Sequence, residues 1–324
     1  MPSTARTLPV LLPALLSLLL SVFVMPVQAA QRPAAAQAPA ATRPAVAGPP
    51  MIARFPAPQM DDDPRAYYTQ ALIELAFSET PEQGPGHVVF ATAPQERLRI
   101  EAELEKGTRL NVYLMPGTNA YDSRFLRVDV PADRGLLGLR VGVIRAEDQA
   151  RFAELRTLDD LRQIRIGSVL GWHLTDILQH NSLTTNVVPV YEDLYRMLVR
   201  NRLDLISRGA TEIVREQAEM HFAYSGTVIE TGLLLRMPLA FYIYVSPTHP
   251  ALHQRIQTGL HRAMTNGRFE AVFREWFGHD LDALKLDSRH IIDLSVPDPH
   301  LPTLMMDPSL RLPLRMPGAK AQTW

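Results

Sequence analysis

Short apolar runs alternate with stretches of helical periodicity along residues 51–280. The runs at 52–55, 87–91 and 110–115 predict strands, because each is compact, apolar and bounded by turn residues. Gly107 predicts the end of the helix that precedes the third run. The order strand, helix, strand predicts an α/β fold with a mostly parallel sheet covered on both faces.

The alternation resumes after an apolar run at 136–144, which is long enough to form a buried strand. Thr157 and Asp160 have the spacing of a capping box, so we expect a short helix there. Thr211 is predicted to cap a later helix. We expect further strands and helices at 164–169, 171–179, 186–190, 191–200, 203–207 and 239–245.

Two helices are predicted near the end of this core. Pro250 suits the first position of a helix, which then runs to Asn266. A second helix follows, with an apolar face at helical spacing that includes Phe269, Phe273 and Phe277. Gly278 is predicted to end it.

The two ends of the chain have different compositions from the core. Residues 1–29 have the basic start, apolar stretch and small residues of a cleavable signal peptide, which predicts a periplasmic protein rather than a membrane anchor. Residues 30–50 are rich in Ala and Pro and predict a disordered linker. Residues 281–324 are rich in proline and predict an extended strap along the body.

Composition excludes several classes of function. The 324 residues carry 33 basic and 34 acidic side chains, so no surplus of positive charge favours nucleic-acid binding. The chain has no cysteine, which excludes disulfides, thiolate metal sites and a lipid-modified N-terminal cysteine. His249 and His253 have helical spacing, but they lack an acidic third ligand, so neither a metal nor a cofactor is predicted.

Three segments in order resemble the extracellular solute-binding proteins of family 3, the periplasmic receptors for polar amino acids that feed ABC importers. The first runs from Gly117 to Arg124 and is followed by Val128-Asp129. The second combines the capping-box helix, the strand after it and the segment from Tyr191 to Asp204. The third is the helix pair at 263–278.

The resemblance implies two α/β lobes with mostly parallel sheets, joined by two hinge strands. Lobe 1 would comprise residues 51–148 and 237–280, and lobe 2 residues 149–236. A ligand would bind in the cleft between them, where strand ends and helix N-termini converge. The implied function is binding of a small, amino-acid-like or anionic solute for uptake, by a protein that is a monomer and not an enzyme.

The resemblance also implies ligand-binding residues, which are Thr118, Tyr121, Arg124, Gly171, Trp172, His173 and Arg208. Arg124 stands where the family binds the α-carboxylate of the ligand, although it could instead pair with Asp122 or Asp129. Trp172 could stack on a ligand or fill the cleft.

The main departure from the family follows the strand at 203–207. Gly209 replaces the Asp that binds the ligand's ammonium group in the family, and Arg208 precedes it. One interpretation is that Arg124 and Arg208 together hold a solute with two acidic groups. The other is that Arg208 pairs with Glu212 one helical turn away.

Two further classes of function stay open on the sequence. A dehydratase-like enzyme on the same fold would use His173 or Glu192 as a general acid or base. A sensory or protein-binding module would contact a membrane partner without a solute. For the receptor, an ABC permease or a membrane sensor is the expected partner.

Overall fold

The structure is a computed structural model and describes residues 50–58 and 63–297. The predicted signal peptide, nearly all of the predicted linker and the strap beyond residue 297 lie outside the described residues. No helix in the described part of the chain is long and apolar enough to cross a bilayer.

Strands and helices alternate along the described residues, and the segments at 126–131, 227–229, 233–236 and 290–293 form strands that the sequence pattern did not predict. The strands are β1 (Met51–Phe55), β2 (Gly86–Phe90), β3 (Val112–Pro116), β4 (Leu126–Pro131), β5 (Leu139–Arg145), β6 (Ile166–Val169), β7 (Thr185–Val188), β8 (Leu205–Gly209), β9 (Thr227–Ile229), β10 (Leu233–Arg236), β11 (Phe241–Val245) and β12 (His290–Asp293). The helices are α1 (Pro64–Ser78), α2 (Arg97–Lys106), α3 (Asn119–Asp122), α4 (Gln149–Phe152), α5 (Leu158–Arg162), α6 (His173–His180), α7 (Tyr191–Val199), α8 (Ile213–His221), α9 (Pro250–Thr265) and α10 (Arg268–Leu284).

The first lobe is built on two small sheets. Strands β3, β11 and β4 form an antiparallel sheet in that order, and β1 pairs with β2 in parallel. The side chain of Asn111 joins the two sheets, since it accepts the backbone N–H of Arg54 at 2.6 Å and donates to the carbonyl of Ile52 at 3.0 Å. Helices α1 and α9 pack on this lobe through buried side chains such as Leu72 and Ile256.

The second lobe is built on a seven-stranded sheet with the order β12-β10-β5-β8-β6-β7, and β9 pairs with β5. Parallel pairs are β6 with β7, β6 with β8, and β10 with β12. Strand β5 runs antiparallel to β8 and β10. Helix α5 starts at the predicted capping box, in which the side chains of Thr157 and Asp160 each accept the other's backbone N–H.

A buried carboxylate holds together the two segments that connect the lobes. Asp133 accepts the backbone N–H groups of Gly135 and Leu137 on the outgoing segment, and that of Phe241 on the returning segment. Burial raises the pKa of Asp133 to about 6, although these backbone N–H groups act to lower it. The two connections are therefore fixed to each other at one point, which the Asp133 side chain provides.

The end of the core differs from the prediction. Helix α10 continues through Gly278 to Leu284, because Leu281 and Leu284 extend its buried face and the left-handed residue that ends it is Lys285. Residues 281–297, predicted as the start of an extended strap, instead complete α10 and form β12. Since β12 pairs with β10, the chain crosses to the second lobe's sheet once more after α10.

Two predicted boundaries also change. Thr211 does not cap α8, which begins at Ile213 with Glu212 at the N-cap position and no side-chain cap. The sheet of the second lobe includes β5, which the predicted boundaries assign to lobe 1. The reason is that β5 is the connecting strand itself and pairs with β8 along Arg140 to Val143.

Candidate ligand-binding site

A cavity of about 280 Å³ lies where the two lobes and their connections meet. Residues 116–118, at the end of β3, form the wall from the first lobe. The first turns of α6, including His173 and Ile177, form the wall from the second lobe. The connecting segments contribute Leu137, Arg140 and Met237, so the cavity touches every part that would move in a hinge motion.

Arg140 is the buried charge in the wall of this cavity. It stands on β5 opposite Gly209 of β8 and is only 8% exposed. Its Nη2 donates to the carbonyl of Ser207 at 3.0 Å. Its Nε has no acceptor among the described residues, and the buried Oγ of Ser207 has no partner there either. Ser207 and Gly209 share the Arg140 face of the sheet, because side chains alternate along β8.

No carboxylate of the described residues lies within ion-pair distance of the Arg140 guanidinium. Burial lowers the pKa of Arg140 to about 10, while the more distant carboxylates of Glu212 and Glu216 act to raise it. The group is still a cation at neutral pH. A buried cation without a paired anion is unusual, because burying an uncompensated charge costs on the order of several kcal/mol.

Gly209 lies beside both this guanidinium and the carboxylate of Glu212. A Cβ at that position would lie 3.4 Å from Nη1 of Arg140 and 3.2 Å from Oε2 of Glu212. Gly209 is also where the resemblance led us to look for an ammonium-binding Asp. The structure has the Arg140 guanidinium and the Glu212 carboxylate beside that position, and Glu212 is paired with Arg208.

Arg208 forms ion pairs and ring contacts with residues of its own lobe. Its guanidinium forms a 2.9 Å ion pair with Glu212 and a hydrogen bond of 2.6 Å from Nε to Glu216. It also stacks on the rings of Trp172 and Tyr191, at 4.5 and 5.0 Å from their centres. Burial opposes the charge, but Glu216 and Glu212 raise the pKa of Arg208. Of the two interpretations for Arg208, pairing with Glu212 is the one that the structure contains.

Arg124 is turned toward helix α2 rather than toward the cavity. Its guanidinium pairs with Glu101 at 3.0 Å and with Glu105 at 3.6 Å, and its side chain is 37% exposed. The carboxylates expected to compete for it, Asp122 and Asp129, pair with Arg127 instead. The expected pair of free guanidinium groups at 124 and 208 is therefore absent from the described structure, because acids of the same lobe occupy each one.

Tyr121 does not reach the cavity either. It is buried, its ring packs against Tyr244 and Phe125, and its hydroxyl donates to Glu101 at 2.9 Å. Burial and the Glu101 carboxylate raise the pKa of Tyr121 to about 12. Tyr121 and Arg124 thus share Glu101 as an anchor for α3 and the loop after it.

Two of the remaining predicted residues line the cavity, and the other two directly precede one of them in the chain. Thr118 lines it and caps α3 by accepting the backbone N–H of Tyr121 at 3.2 Å. His173 lines it from the exposed first position of α6. Gly171 has a φ of 84° and makes the turn into α6, and Trp172 covers Arg208 next to the cavity.

Sequence reasoning missed Arg140 and Asp176, which both line the cavity. The signal for Arg140 was present, because it is a single charge inside the apolar run that predicts β5. Asp176 lies in the exposed first turn of α6 and has no distinguishing pattern around it. Among the described residues, no group of three or more potential ligands could hold a metal ion.

No family model and no curated protein matches the sequence. Among solved structures, YckB from Bacillus subtilis is 11% identical, covers 75% of this chain and 95% of its own, and superposes with a TM-score of 0.51. A Salmonella typhimurium periplasmic binding protein with high arginine specificity is 15% identical, with 70% and 99% covered and a TM-score of 0.46. An ancestral amino acid-binding protein, a precursor of cyclohexadienyl dehydratase, is 12% identical, with 70% and 95% covered and a TM-score of 0.46.

At these identities the comparisons bear on the fold alone. The likeness spans about three quarters of the chain and nearly the whole of the matched structure. Together with the lobes and connections described above, it confirms the fold class that the sequence predicts. The chain has the two-lobed α/β fold of the periplasmic binding proteins.

Proposed function

We propose that this chain is a periplasmic solute-binding protein that binds a small anionic solute between its two lobes. The observation that carries the proposal is Arg140, a buried residue that lines the cavity and whose guanidinium has no carboxylate within ion-pair distance among the described residues. Thr118 and His173 would complete the walls around the solute from opposite lobes.

An anionic guest supplies what the Arg140 environment lacks. A carboxylate can accept two parallel hydrogen bonds from a guanidinium, and such charge-assisted contacts contribute about 1.5 to 3 kcal/mol each. The contact would be made in a site shielded from water, where electrostatic attraction is stronger than at the surface. Binding would therefore relieve the cost of keeping Arg140 buried and charged.

The position of the cavity couples binding to movement of the lobes. Arg140 and Met237 belong to the connecting segments, whereas Thr118 and His173 belong to different lobes. A solute that contacts all of them is bound most tightly in the arrangement that brings these walls together, so it favours closure. The proposed receptor would present the closed form to an ABC permease or a membrane sensor.

The proposed protein is not an enzyme. Of the two residues suggested for a dehydratase-like activity, Glu192 accepts the hydroxyl of Tyr224 at 2.7 Å, pairs with Arg196 and is not part of the cavity wall. His173 is exposed, and no carboxylate of the described residues is hydrogen-bonded to its ring. A histidine that acts as a general acid or base needs a hydrogen-bonded partner to orient its ring. The structure therefore favours binding over catalysis.

Native mass spectrometry of the protein from its own periplasm tests this function. The expected spectrum contains the polypeptide with one retained small molecule that dissociates on gentle activation and is acidic. The Arg140→Gln variant, purified in the same way, should carry much less of it. A wild-type spectrum of the bare polypeptide alone, under conditions that preserve a control receptor with its ligand, would contradict the proposal.

A further inference from the structure

We infer that the solute is a carboxylate with an apolar body and without an ammonium group, as in a branched-chain 2-oxo acid. This inference rests on the proposed function and adds the chemical class of the ligand. The structural basis is the combination of one buried cation with walls that are otherwise mostly hydrocarbon.

The walls of the cavity favour an apolar body. Leu174, Ile177, Met237 and Val296 are buried residues that line it from the second lobe and from the connections. Burying apolar surface of a ligand against them contributes about 25 cal/mol per Å². A second charge on the ligand would lose its water there without a matching partner, so a compact polar solute fits these walls poorly.

Arg140 is the charge that a bound solute meets inside the cavity. Its guanidinium would attract a carboxylate and repel an ammonium group. Bringing two like charges together in a site shielded from water costs on the order of several kcal/mol. Glu212 and Glu216, the acids near Arg140, are already paired with Arg208. They are therefore not free to accept an ammonium group.

Asp176 is the acid among the described residues that line the cavity, and it decides between two classes of ligand. If it bound an ammonium group, an amino acid would fit, with its carboxylate on Arg140. Asp176 is exposed on the first turn of α6, however, and a solvated carboxylate attracts a cation only weakly. The buried Arg140 therefore dominates selection, and Asp176 lies at the water-exposed edge.

Two probes that share one carbon skeleton test the inference. 4-Methyl-2-oxopentanoate and L-leucine differ in having a keto or an ammonium group next to the carboxylate. Titration calorimetry with the full mature protein should show the oxo acid binding at least about 10-fold more tightly than leucine. The Asp176→Asn variant should bind the oxo acid as well as or better than the unmodified protein does.

Glu154→Gln is the matched control, because Glu154 is another exposed acid of the second lobe and is not part of the cavity wall. It should leave both affinities within about 2-fold. Tighter binding of leucine that Asp176→Asn abolishes would overturn the inference, while the solute-binding function would stand. Absence of binding by both probes would also overturn it, and the native mass spectrum would then decide the proposed function independently.

Discussion

Arg124 and Arg140 are two guanidinium groups in opposite situations. Arg124 is partly exposed and has carboxylates at 3.0 and 3.6 Å. Arg140 is buried, has one carbonyl acceptor at 3.0 Å and has no carboxylate within ion-pair distance among the described residues. An exposed ion pair contributes little, about 0 to 1 kcal/mol, whereas a buried unpaired charge is costly.

The difference shows how a binding site can be distinguished from a structural ion pair. Glu101 holds Arg124 together with Tyr121, so that its charge serves the packing of α2 against α3. Arg140 has one internal acceptor, the carbonyl of Ser207, and its Nε–H has no acceptor among the described residues. A donor without an acceptor in a residue that lines a cavity favours a ligand, because no internal hydrogen bond has to be broken for it to bind.

The largest expected effect concerns ligand affinity. Arg140→Gln should weaken binding of 4-methyl-2-oxopentanoate about 10- to 100-fold, since it removes a charge-assisted contact in a shielded site. Arg124→Gln should leave the affinity within about 2-fold. Titration calorimetry on both variants checks this, and a greater loss in the Arg124 variant would reverse the comparison.

A second prediction uses Asp133, a buried charge that does have partners. Burial raises its pKa from 3.8 to about 6, so between those values the folded state holds a proton that the unfolded state has lost. The contribution of Asp133 to the free energy of unfolding should therefore fall by about 2 to 3 kcal/mol as the pH rises from 4 to 7.

Asp133→Asn should remove that pH-dependent part of the stability. Urea unfolding at several pH values between 4 and 7 measures the slope for both proteins. The dependence of stability on pH is compared, not the stability itself. The amide of asparagine can place its NH₂ group opposite the backbone N–H of Leu137, and this contact between two donors lowers stability at every pH. Equal slopes in the two proteins would mean that Asp133 titrates normally.

A third prediction compares stability at the two arginines without ligand. Arg140→Met should raise the free energy of unfolding by about 1 to 2 kcal/mol, because an apolar side chain of similar length replaces an unpaired buried charge. Arg124→Met should lower it by about 1 kcal/mol or less. Urea unfolding of both variants is the measurement, and a destabilised Arg140→Met protein would show that the charge has an internal partner.

The smallest expected effect is at the anchor of Arg124. Glu101→Gln should lower the free energy of unfolding by about 1 kcal/mol, because two donors lose a charged acceptor. It should also bring the pKa of Tyr121 down from about 12, since the Glu101 carboxylate contributes to that shift after burial itself. Absorbance at 295 nm during an alkaline titration reports the change, and an unchanged tyrosine titration would contradict the anchor.

Local signals in the sequence predict most of the fold. The capping box at Thr157 and Asp160 forms as expected, because both of its hydrogen bonds lie within four residues. Gly278 was misleading, since a glycine ends a helix only where the apolar face also stops, and here that face continues to Leu284. The pairing of β12 with β10 joins residues far apart in sequence, and no local sequence pattern predicts it.

The sequence predicted the position of the candidate cavity but not the charged groups around it. The resemblance directed attention to the residues at 117–118 and 171–173, which lie at or beside the cavity. It also selected Arg124 by spacing, but spacing does not reveal that Glu101 lies within reach from a different helix. The charge at Arg140 is visible inside the apolar run at 136–144, but its burial and its lack of a counter-ion are properties of the folded chain and not of any short segment.

The central claim is that the solute's anionic group binds at Arg140. The most direct measurement is the ¹⁵N spectrum of the arginine Nε–H groups during titration with 4-methyl-2-oxopentanoate. The Arg140→Lys and Arg124→Lys variants assign the two signals by their absence. We predict that the Arg140 signal shifts and that the Arg124 signal stays in place; a shift confined to Arg124, or to neither, would contradict the account.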